Sequence, residues 1–431
     1  MTFNERAGGV IPGGAHTYSK GRDQMPANAP EAFVRGKGAR VWAIDGREFV
    51  DWGMGINNVL IGHAEEAIDD AACEALRHGQ NFSRPTLREV EAAESLIALI
   101  DGVDMVKFAK NGSDANSAAL RLARAVTGRR RVLFDGSAPF LAIGDWFIGH
   151  TPVDAGVLAE ASALAHPFVF DDLASVERLF AEHAADVAAV ILEPCRERRP
   201  GVGFLEGLRA LCDAHGALLV FDEIVTGFRY TLHGASRLFG VTPDLLAIGK
   251  GMANGYALSA LAGRREVMRR GGLDHSDPRC FLLSTTNGAE QSGLAAAVAT
   301  MAFYESHDVI DRLDRTGREV ASAITAAASL AGIADFLQAG GDFGCRPVIA
   351  CLDHQQQPSP AHRTLFHQEL LKHGVFMPWI CPSFRHGSSE LDQTRDACVR
   401  AARIYAQAIE RRSVEGLLEG PPVKPVMRRY N

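Results

Sequence analysis

The chain has 431 residues, 47% of them hydrophobic and 23% charged, which is an ordinary balance for a soluble globular protein and too long for one typical core, so two domains are expected. Its 45 Lys and Arg against 52 Asp and Glu (45 − 52 = −7) leave no basic field for nucleic acid, and "GRRR" at 128–131 reads as a solvated helix end. No apolar run approaches the ~18–20 residues that span a bilayer.

The first residues, "MTFNERAGGVIPGG", lack a basic segment followed by an apolar one, so no export signal is expected. The eight cysteines are scattered without a CxxC pair, which suits a reduced cytoplasmic protein better than a disulfide framework. They and the 15 histidines show no ligand spacing, so no metal site is expected.

Residues 30–51 alternate and turn at "KG" and "DG", which predicts a small antiparallel sheet. "AEEAIDDAACEALRHG" from residue 64 and "TLREVEAAESLIALI" (86–100) read as amphipathic helices. Strands and helices then alternate. Strands are predicted at 105–110, at "RRVLFDG", at 187–194, at 217–223 and at 244–250, with helices between them. These strands are short and continuously apolar, as in a parallel sheet covered on both faces. Beyond about 290 the chain reads as two helices, then an α+β region with strands near 346–352 and 375–380, a long helix near 390–412 and an extended tail.

Ligands of such a sheet gather beyond the carboxyl ends of its strands. Glu193, Asp222 with Glu223, and Lys250 all fall at such ends, and a fourth strand opens into "NGSDAN". Gly112 allows a tight turn, and Ser113 begins a helix whose free N–H groups suit a phosphate; the plainer reading is an N-cap. Asp222 ends a buried strand and requires a cation or donors, and Glu223 faces the opposite side. Lys250, among small residues, is either a desolvated amine that forms a Schiff base or a lysine reaching out to solvent. A phosphate cradle, a buried acid and an imine-forming lysine together match the three handles of pyridoxal phosphate.

The segments "IPGG" (11–14), "GARVWAIDGREFVDW", "LIGHA" (60–64), "LEGLRALCDAHGALLVFDEIVTGFR" (205–229) and "FGVTPDLLAIGKGMANGYALSALAGRREVM" (239–268) carry a resemblance. The chain resembles the class III aminotransferases of the fold-type I pyridoxal-phosphate superfamily, in the branch around glutamate-1-semialdehyde aminomutase. The resemblance implies an α/β fold with a mainly parallel seven-stranded sheet sandwiched by helices. A large cofactor-binding domain would span 71–310, with a smaller α+β domain formed by 1–70 and 311–431. It implies a cytoplasmic homodimer that binds pyridoxal 5'-phosphate. Lys250 would carry the cofactor, Asp222 its pyridinium nitrogen, Ile224 a ring face, and Gly112 and Ser113 the phosphate. Thr286 would reach that phosphate from the other subunit, with Thr285 as the register alternative, and Glu193 would lie near the pocket.

Two departures stand out. Where the family has "YHG", this chain reads "FDGSAPFLAIGDWF", which places Phe140 at the stacking position and Leu141 at the usual histidine. Where the aminomutase has an arginine for a substrate carboxylate, Lys20 stands, with Arg22 close by; lysine lacks the bidentate fork. The expected activity is transfer of an amino group from an amine donor to a carbonyl acceptor, such as a keto sugar or specialised metabolite. The alternatives are an intramolecular aminomutase and, less in keeping with the Asp222 and Lys250 pair, a non-catalytic scaffold. Substrate contacts are expected from Tyr18, Lys20, Ser83 and Arg84, although "NFSRPT" (81–86) reads slightly better as a cap before a helix than as a loop over the pocket. Arg385 and His386 reach either the site or the surface.

Overall fold

The computed structural model describes residues 1–183 and 185–430. In chain order its strands are β1 (Phe33–Lys37), β2 (Arg40–Ala43), β3 (Glu48–Asp51), β4 (Met105–Ala109), β5 (Arg131–Asp135), β6 (Ala165–Phe168), β7 (Val187–Leu192), β8 (Leu218–Glu223), β9 (Leu245–Ile248), β10 (Ser259–Gly263), β11 (Leu337–Gly340), β12 (Val348–Cys351) and β13 (Val375–Phe376). The chain divides into two compact units, one of Met1–Glu65 with Asp311–Arg428, the other of Glu66–Ile310 with the last residues from Arg429. No helix among the described residues is long and apolar enough to cross a membrane.

In the first unit, β1, β2 and β3 form the expected antiparallel sheet, and β13 joins β3 in parallel, with Val375 opposite Val50. Helices Pro360–Lys372 and Ser388–Arg411 pack around a core that includes Trp52, Ile324, Phe366 and Tyr405. His386 is fully buried here and stacks on Trp52 at 4.0 Å, whereas Arg385 is exposed and pairs with Glu65 at 2.7 Å. Tyr18 and Lys20 form an exposed single turn in the same unit.

The second unit is built on a seven-stranded sheet in the order β4-β10-β9-β8-β7-β5-β6. Only β10 runs against its neighbours, so the sheet is mainly parallel, as the resemblance implied. The central strands β7 (VAAVIL) and β8 (LLVFDE) are buried at every position, the reason they lack alternation. Two strands escape the sequence pattern. β6 contains Pro167, which a sheet edge tolerates because the missing N–H faces no neighbour. β10 is a run of small residues (SALAG); at Gly263 a Cβ would lie 2.5 Å from the Asp244 carbonyl oxygen, so the close approach to β9 demands glycine.

This topology places the carboxyl ends of β4, β5, β7, β8 and β9 along one sheet edge. β9 turns back into β10 through a 3-10 turn at Lys250–Ala253.

Candidate active site

Asp222 occupies the penultimate position of β8, opposite Ala247 of β9, and Lys250 follows β9 two residues after its end. Asp222 is only 7% exposed. Its Oδ1 accepts from the Ile224 N–H at 3.0 Å and its Oδ2 from Asn116 Nδ2 at 2.7 Å. Burial pushes its pKa up to about 6, and the Glu193 charge pushes the same way; the two donors and the Lys250 charge pull back. Glu223 points away, as alternation requires. Its carboxylate accepts from the Ala235 N–H at 2.9 Å at the start of helix Gly234–Phe239, and burial pushes its pKa up to about 7.

Helix Gly112–Thr127 begins directly after β4 and lays two groups beside Asp222. Asn111 and Asp114 close its first turn as a capping box, so the cap role falls to them and leaves Ser113 to other partners. Ser113 is buried, and its Oγ accepts from the Ile143 N–H at 3.1 Å. Ile224 lies between two glycines. A Cβ on Gly112 would meet Ile224 Cγ1 at 2.8 Å, and one on Gly249 would meet Ile224 Cδ1 at 3.2 Å. Lys250 is half-buried and adopts a left-handed backbone, φ +45°, which costs a non-glycine residue about 1 kcal/mol or more. The turn that holds it is pinned by Tyr304, whose OH donates to the Gly251 carbonyl at 2.7 Å.

Asn116 was absent from the sequence expectations. It is 1% exposed, and its amide nitrogen donates both to Asp222 and to the Leu141 carbonyl at 2.7 Å. The available signal was its place one helical turn after Gly112, the spacing that puts two residues on one face. Leu141 thus contributes a main-chain acceptor. Phe140 beside it is 47% exposed and makes an edge contact with Phe147, centroids 6.1 Å apart. Glu193 is buried just beyond β7.

The remaining expected residues lie at the surface. Ser83 and Arg84 are exposed. Their segment has two roles: Thr86 caps helix Leu87–Leu99, and Asn81 Nδ2 donates to the Thr286 carbonyl at 2.8 Å. Thr286 is itself exposed. The structure therefore gathers Gly112, Ser113, Glu193, Asp222, Ile224 and Lys250 on one sheet edge, whereas Tyr18 and Lys20 belong to the first unit.

A buried acid, a lysine on the adjacent strand end and a helix N-terminus define a pyridoxal-phosphate enzyme of α/β type. A family model described as aminotransferase class-III matches residues 18–376, and the chain belongs to that family, whose cofactor is pyridoxal phosphate. It is 32% identical to the glutamate-1-semialdehyde 2,1-aminomutase of Nitrosomonas europaea over 94% of this chain and 97% of that one. It is 30% identical to the 3-aminobutyryl-CoA aminotransferase of Cloacimonas acidaminovorans, covering 92% and 95%. Among solved structures, the FumI protein of Sphingopyxis sp. MTA144 in its PLP internal aldimine form matches with a TM-score of 0.87 at 27% identity, covering 99% of both chains.

The residues present fit that cofactor in kind. Asp222 is a buried acceptor for a protonated ring nitrogen, Gly112 leaves Ile224 room against the site, and the start of the helix offers N–H donors to a phosphate.

Proposed function

We propose that the chain moves an amino group from an amine donor to a ketone or aldehyde acceptor. The observation that carries this reading is the Asp222 carboxylate, buried, held by Asn116 and adjacent to the strand that leads into Lys250. When bound, the cofactor supplies a ring that takes up the electron pair left as a C–H bond next to nitrogen breaks. Asp222 keeps a proton on the ring nitrogen by presenting a negative oxygen in a water-poor place. Lys250 would be the point of covalent attachment and then the base: its ε-amine would take the proton from the donor carbon and, as the ammonium, deliver it to the cofactor's 4′ carbon. Ile224 packs on one ring face, with Phe140 as the aromatic neighbour on the β5 side. Gly112, Ser113 and, from a second subunit, Thr286 hold the phosphate, which makes the active form a homodimer. Glu193 lines the pocket. Ser83 and Arg84 contact substrate.

Two half-reactions at one site produce ping-pong kinetics. A screen of amine donors and carbonyl acceptors, followed by cofactor absorbance, tests the reading; a protein that never exchanges its amine with any donor would refute it. The aminomutase reading is favoured by the names of relatives at 32% identity. Lys20 in place of a carboxylate-binding arginine weighs against it. Turnover of one substrate with its amine retained, and no acceptor needed, would establish the aminomutase instead.

A further inference from the structure

A cavity of about 290 Å³ lies within the first unit, lined among others by Gln24, Arg363, Thr364, His367, Trp379 and Lys424. Helix Pro360–Lys372 contributes Arg363, Thr364 and His367 from adjoining positions of one face. The C-terminal arm closes the cavity and is pinned by main-chain bonds: Val423 N–H donates to Thr364 Oγ1 at 2.9 Å, and Lys424 N–H to the Asp23 carbonyl at 3.0 Å.

The lining carries two cations, Arg363 and Lys424, and no acidic side chain. The nearest carboxylate along the chain, Asp23, is already neutralised by Arg428 at 2.5 Å. Arg363 commits one nitrogen to the Pro378 carbonyl at 2.8 Å. His367 is 7% exposed, and its Nε2 is buried with no hydrogen-bond partner among the described residues. Burial, aided by the Arg363 charge, holds the imidazole neutral, its pKa pushed down to about 3. A buried ring nitrogen left unpaired is costly, so a ligand that meets it gains that cost back. Trp379 forms an apolar wall, its ring fixed by the Nε1–H donated to the Gly53 carbonyl at 2.9 Å.

We infer that this cavity binds a small organic acid, its carboxylate between Arg363 and Lys424, its apolar body against Trp379, and a hydroxyl meeting His367 Nε2. The inference rests on the first unit alone and stands whether or not the proposed transfer reaction is correct.

The probe is 4-hydroxybenzoate, titrated calorimetrically into the full-length holoenzyme, with benzoate and inorganic phosphate as parallel arms. Benzoate lacks the hydroxyl, and phosphate lacks the apolar body. Binding of 4-hydroxybenzoate is expected to be the tightest of the three. The double variant Arg363→Gln, Lys424→Gln should weaken it by about tenfold or more, the loss of charge-assisted hydrogen bonds. Both side chains are exposed, so the fold survives their substitution. His367→Phe should erase the advantage of 4-hydroxybenzoate over benzoate while benzoate still binds. Cofactor absorbance, followed in parallel, separates this site from acid binding at Lys250. No binding, undiminished binding in the double variant, or phosphate binding tighter than both aromatics would overturn the inference.

Discussion

Asn116 donates from one amide nitrogen to Asp222 Oδ2 and to the Leu141 carbonyl, both at 2.7 Å. The asparagine therefore ties the carboxylate at the end of β8 to the loop that follows β5. In Asn116→Leu, which roughly conserves volume, Asp222 keeps only the Ile224 N–H. Losing a hydrogen bond to a charged group costs about 1.5–3 kcal/mol, so kcat/KM should fall roughly ten- to hundredfold and cofactor affinity should drop with it. Fluorescence titration of apoprotein with pyridoxal phosphate and steady-state kinetics measure both; unchanged values would remove Asn116 from the site.

Asp222 should set function against stability. Its pKa rises from 3.8 unfolded to about 6 folded, so the folded apoprotein holds the proton more tightly. The stabilisation this gives is fully present below about pH 4 and is lost as pH rises through about 6, beyond which the buried charge costs roughly 3 kcal/mol. Asp222→Asn removes that penalty. Denaturant unfolding at pH 8 should show the variant apoprotein more stable than the parent, with the difference vanishing near pH 4, while turnover collapses.

A methyl group at position 112 should be felt through Ile224. Gly112→Ala places a Cβ 2.8 Å from Ile224 Cγ1, and overpacking of this kind costs about 1–3 kcal/mol. The double variant Gly112→Ala, Ile224→Ala has the room and should recover part of the stability lost in the single one. A thermal unfolding cycle over the four proteins gives the coupling; strict additivity would show that the two residues do not meet.

At Lys250 two substitutions should part company. Both Lys250→Ala and Lys250→Gly lose the amine, so turnover should fall by at least about 10²–10⁴, the usual worth of a general base, and the cofactor should lose its covalent attachment. Only glycine relieves the left-handed backbone at φ +45°. The glycine apoprotein should therefore be about 1 kcal/mol more stable than the alanine one, read from denaturant midpoints at equal slope.

Much of the sheet, and the charged residues at the ends of its strands, were legible from local patterns. β7, β8 and β9 are unbroken apolar runs because both faces are covered, and a charge that ends such a run, as Asp222 and Lys250 do, is anomalous enough to notice. β6 and β10 were not legible. Pro167 suppresses the strand pattern, and the small residues of β10 are chosen for close strand approach and give no periodicity.

Local order in the chain thus decided where the acid, the amine and the helix start fall, since each lies at, or within a few residues of, the end of its own strand. Tertiary structure alone decided which distant groups complete them. The polar Asn116 looks like any helix residue until β4 and β8 lie in one sheet, and the Leu141 carbonyl has no sequence signature at all because every residue carries one. The same holds for β3 and β13, whose pairing joins Val50 to Val375: hydrogen bonds between main chains carry no residue code, so only the folded core selects the partner.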